Sequence, residues 1–85
     1  MQKVRVCLKR GLSATNTSHF VQKARSFSSH VTLYKEGCCA NGKDLMEVLD
    51  LDVRCDDHVM VMTDGEDEEA SIGALKALIS GKSDL

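Results

Sequence analysis

Eighty-five residues, 42% of them hydrophobic, are about the size of one small domain with a core just large enough to fold alone. The formal charge of −2 hides an asymmetry: residues 1–40 hold seven Lys/Arg and one acidic residue, whereas residues 41–85 hold four Lys/Arg and twelve acidic residues. There is no apolar run of about 18 residues to cross a membrane, and the basic residues form neither a stripe nor a run interleaved with stacking aromatics, which argues against membrane and direct nucleic-acid partners.

In chain order, Val4, Val6 and Leu8 alternate with Lys3, Arg5 and Cys7, predicting a half-buried strand over 2–8. Met1-Gln2-Lys3-Val4 enters that strand directly, which argues against a signal peptide. Gly11 permits a sharp turn after Lys9-Arg10. Ala14, Thr17, Phe20, Val21, Ala24 and Phe27 then fall at helical spacing, predicting a helix over 14–26 with Ser13 as N-cap. The open N–H groups of such a helix start suit an anion, and Ser13, Ala14, Thr15 and Asn16 form the candidate anion loop. No His, Cys or Asp stands at this turn to take a phosphoryl group. His19 lies in the helix interior and reads as a partly exposed residue.

His30 to Tyr34 alternates again, Lys35-Glu36-Gly37 reads as a tight turn, and Cys38-Cys39-Ala40 as a short third strand, ended by Asn41-Gly42. Residues 43–51 form a short helix with Asp44 at or near its N-cap. An acidic connection over 52–57 leads to a strand over 58–63. Asp64-Gly65-Glu66 turns the chain into a last helix with an Ile72, Leu75, Leu78, Ile79 stripe, stopped at Gly81. The four cysteines, Cys7, Cys38, Cys39 and Cys55, read as free thiols of a reducing cytoplasm, because no C-x-x-C spacing or secretory feature accompanies them. Zinc through Cys38, Cys39, Cys55 and His58 is disfavoured, since adjacent strand residues point to opposite faces. No metal or cofactor is expected.

The order β-α-β-β-α-β-α predicts a single α+β domain over 1–85, a four-stranded antiparallel sheet with three helices on one face. A split βαβ arrangement is the alternative. Gly11-Leu12-x-Ala14, Val21-Gln22-Lys23-Ala24, Gly37, Asn41, Lys43 and the Gly65-to-Ala70 entry to the last helix together resemble the HPr family, phosphocarriers of the bacterial sugar phosphotransferase system. The resemblance implies the open-faced HPr fold. In that family the turn reads Gly-Leu-His-Ala-Arg-Pro and the His carries phosphate; without gaps, the His, Arg and Pro positions are Ser13, Thr15 and Asn16. The regulatory serine that opens the second helix in low-GC Gram-positive members corresponds to Asp44.

Asp44 has two readings, a helix cap or a constitutive stand-in for phosphoserine, with one charge against nearly two. Leu45, Met46 and Leu49 are expected to face outward while Val48 and Leu51 enter the core; with Ser18 they make the partner-docking patch the resemblance implies. Glu47, Asp50 and Asp52 add acid around it, which favours discrimination among partners. The resulting expectation is a non-catalytic regulatory module resembling the Crh branch of the family, which lacks the carrier His. Its partners would be a LacI-type catabolite regulator or phosphotransferase-system proteins, and its state a monomer or weak homodimer. The alternatives are a phosphocarrier accepting phosphate at Ser13 or His19, and a diverged paralogue with a new partner.

Overall fold

The computed structural model describes residues 1–8 and 11–79. Seven elements follow in the order β1 (Gln2–Leu8), α1 (Ala14–Arg25), β2 (His30–Lys35), β3 (Cys38–Asn41), α2 (Leu45–Asp50), β4 (Asp57–Asp64) and α3 (Glu68–Ile79). The strands form a sheet in the order β1-β4-β2-β3, and each neighbouring pair is antiparallel. A ferredoxin-like split βαβ arrangement would seat β3 between β1 and β2; here β4 lies between them and β3 is at the edge beyond β2, so the open-faced sandwich is the architecture.

Alternation along the strands decides which face is covered. Val6 and Leu8 of β1, Val31 and Leu33 of β2, Ala40 of β3, and Val59 and Val61 of β4 are buried beneath the helices. Phe20, Val21 and Ala24 of α1, Val48 of α2, and Leu75 and Ile79 of α3 meet them from above. The other sheet face carries Arg5, Tyr34 and His58, all exposed. The β2–β3 connection is a two-residue turn with positive φ at both Glu36 (48°) and Gly37 (85°), the mirror-image turn whose twist matches a hairpin.

The differences from the sequence reading lie at element ends. Asp44 is extended (φ −113°, ψ 110°), so α2 starts at Leu45 rather than at 43. β4 exceeds 58–63 at both ends because Asp57 pairs with Leu8 and Asp64 with His30. The Lys9-Arg10 dipeptide and the expected stop at Gly81 lie outside the described residues.

Candidate functional site

Gly11 sets the turn into α1. Its φ is +67°, its N–H donates to the Leu8 carbonyl (3.0 Å), and a Cβ there would stand 2.8 Å from the Arg54 carbonyl carbon. Only glycine fits this close approach. Two residues on, Ser13 is extended (φ −69°, ψ 167°) and caps α1: its Oγ accepts from the Asn16 N–H at 3.2 Å, and its carbonyl accepts from the Thr17 N–H at 2.8 Å. Ser13, Ala14, Thr15 and Asn16 are all exposed, and the first turn of α1 holds no acidic residue. The Ala14 and Thr15 N–H groups find no acceptor among the described residues, so the positive end of the helix dipole faces solvent beside the Ser13 hydroxyl. No general base contacts that hydroxyl among the described residues. His19 is exposed and lies six positions along the helix, about 9 Å of axial rise from Ser13.

The second helix begins at the opposite end of α1. Arg25 Nε donates to the Lys43 carbonyl (2.8 Å) and Lys43 Nζ to the Phe27 carbonyl (2.8 Å), fastening the end of α1 to the entry of α2. Asp44 caps α2, its Oδ1 accepting from Met46 N–H (3.0 Å) and Glu47 N–H (3.3 Å). Along the six-residue α2, Val48 is buried while Leu45, Met46 and Leu49 keep 37%, 66% and 38% of their surface exposed. That is the inside–outside division expected from the sequence. Ser18 is half-buried on α1, which packs against α2. Of the nearby acids, Glu47 accepts from Asn41 N–H (3.0 Å) and Asp52 pairs with Arg54 (2.9 Å), whereas Asp50 is exposed with no partner among the described residues.

Residues 52–57, read from sequence as a polar, acidic connection, close the circuit back to the turn together with Leu51. Leu12 N–H donates to the Val53 carbonyl (3.2 Å) and Asp56 N–H to the Leu8 carbonyl (2.8 Å). Lys35 Nζ holds the end of α2 through the carbonyls of Leu51 (3.2 Å) and Asp52 (2.7 Å) and pairs with Asp57 at 2.9 Å. The Arg54 backbone N–H (2.7 Å), followed by Lys35, holds the Asp57 carboxyl below its ordinary range. Sequence reasoning missed this role; the one available signal was the Leu51-x-Val53 alternation, and both residues are buried.

Comparison with known proteins places this geometry. Residues 1–81 match the family model described as the PTS HPr component phosphorylation site. The chain belongs to the HPr family. The HPr-like protein Crh of Bacillus subtilis (strain 168) is 40% identical over 78 residues, covering 92% of each chain. Among solved structures, HPr-C-His from Thermoanaerobacter tengcongensis superposes with a TM-score of 0.94 at 34% identity, covering 100% of this chain and 98% of that one. The crystal structure of Bacillus subtilis Crh, described as a domain-swapped dimer, gives a TM-score of 0.79 at 38% identity, covering 96% and 94%. In this HPr-family chain, Ser13 stands at the turn before α1, and the three histidines stand elsewhere: His19 midway along α1, His30 at the start of β2 and His58 on β4.

Proposed function

We propose that this chain is a non-catalytic regulatory binding module of the sugar phosphotransferase system, acting as one HPr-like unit in the cytoplasm rather than as a phosphocarrier. The observation that carries the reading is Ser13. Where the family resemblance puts the carrier histidine, a hydroxyl caps α1 with no contacting base among the described residues. A phosphoserine ester is stable where a phosphohistidine transfers readily, and an unassisted hydroxyl is a weak nucleophile. The open Ala14 and Thr15 N–H groups favour anion docking beside Ser13, which supports the alternative of a phosphocarrier for Ser13 and not for His19.

The exposed Leu45, Met46 and Leu49 cluster of α2, together with Ser18 of the packed helix α1, is the proposed docking patch, and its partner a LacI-type catabolite regulator or another protein of the system. The bonds from Met46 N–H and Glu47 N–H to Asp44 Oδ1 support the capping reading, because they satisfy two of the free donors at the start of α2. The likeness to Crh supports a monomer that exchanges into a homodimer.

The deciding experiment is intact mass after incubation with phosphoenolpyruvate and the general phosphotransferase enzyme I, run on wild type, Ser13→Ala and His19→Ala beside an HPr that keeps its histidine. No added phosphate on this chain, with full phosphorylation of the control, is expected. One added phosphate lost in a single variant overturns the reading and identifies the acceptor.

A further inference from the structure

A second candidate site lies on the opposite side of the molecule. On the uncovered sheet face, Arg5 of β1, Met60 of β4 and Tyr34 of β2 stand in one row, since Arg5 and Tyr34 are each in register with Met60. The β2–β3 turn places Glu36 and Gly37 at one end of this row, His58 lies alongside on β4, and together these residues line a cavity of about 410 Å³. That volume is within the range of small-molecule sites, roughly 300–1,000 Å³. The side chains of Arg5, Glu36 and His58 make no hydrogen bond or ion pair with any described residue, so Arg5 and Glu36 do not pair with each other. Tyr34 keeps 39% of its surface exposed beside the half-buried Met60.

The chemistry is bipolar. A guanidinium offers a planar fork to a carboxylate at one end, a carboxylate faces an ammonium at the other, and an aromatic ring and a thioether form an apolar floor between them. Arg5 and Tyr34 are two strand spacings apart, about 10 Å. We infer that this face binds a small aromatic zwitterion, its carboxylate on Arg5, its ring over Tyr34 and Met60, and its protonated amine on Glu36. The site is independent of Ser13 and of the α2 patch.

Tyr34 is the sole tyrosine of a chain without tryptophan, so its fluorescence reports on this cavity alone. The probe is 4-(aminomethyl)benzoate, titrated by Tyr34 fluorescence and by amide chemical shifts, with benzoate and benzylamine as half-ligands. Expected is a saturable response with Kd on the order of 1 mM or tighter, with shifts centred on Arg5, Tyr34, Glu36 and Met60. Each half-ligand, and each of the variants Arg5→Gln and Glu36→Gln, should bind roughly tenfold more weakly. Both variants alter exposed side chains, and unchanged melting curves verify their folding. Absence of a saturable response, a half-ligand that matches the zwitterion, or variants that bind as wild type would overturn the proposal.

Discussion

Two single positions are under opposite kinds of tension. Ser71 is fully buried in α3, and its Oγ has no hydrogen-bond partner among the described residues. A buried unsatisfied hydroxyl costs about 1–3 kcal/mol, and alanine is the better helix former. Ser71→Ala should therefore raise stability by about 1 kcal/mol, read as a higher midpoint in urea with an unchanged slope. Gly11→Ala is the converse. It forces a side chain into left-handed backbone and into the Arg54 carbonyl carbon 2.8 Å away. A loss of about 1–3 kcal/mol is expected, with the largest amide shifts at Leu12 and Val53 rather than in α3.

Among the elements, α2 is too short to hold itself together and depends on what grips its ends. Lys35 does so from β2 through the Leu51 and Asp52 carbonyls. Lys35→Met keeps the stem and removes the donors, so the amides of the 51–57 loop should exchange roughly tenfold faster while the β1–β4 ladder stays protected. At the start of α3, the Asp67 carboxylate turns away from its own helix. It accepts from the Ser29 hydroxyl and from the Ser28 and Ser29 N–H groups at 2.9 Å, which together, with the hydroxyl foremost, lower its pKa from 3.8 to about 2. A carboxylate depressed in the folded state stabilises above its ordinary value and ceases to as pH falls through the folded one. Stability should thus decline between about pH 4 and pH 2, and Asp67→Asn should flatten that part of the curve while lowering the neutral-pH melting temperature. A titration of melting temperature against pH for both proteins checks this.

For the whole molecule, the fold was legible because each level of the sequence agrees with the next. Val4, Val6 and Leu8 set the period of β1, Ser13 and Asp44 mark helix starts, and Val48 against Leu45, Met46 and Leu49 divides α2 into core and surface. What stayed hidden is carried by backbone atoms or by distant partners. Val53 serves the turn through its carbonyl, which no side-chain pattern announces, and Asp67 reads as one more acid of a helix start until its contact with Ser28 and Ser29 is seen. The α2 surface predicts that Leu49→Lys leaves the melting curve nearly unchanged yet weakens capture of a purified catabolite regulator by roughly tenfold or more, as expected for an apolar anchor. Unchanged capture would remove α2 from the docking surface.

The twelve residues of α1 act as a spacer, with Ser13 at one end and the fastening to Lys43 and Asp44 at the other. That spacing is about 18 Å of helix, and the two caps share no hydrogen-bond partner. Substitutions so separated are expected to be additive. In evolutionary terms there is little epistasis between the two positions: each could change on its own, in either order, without the fold demanding an answering change at the other. The double substitution Ser13→His with Asp44→Ser should therefore fold as well as the sum of its parts, read as additive shifts in melting temperature.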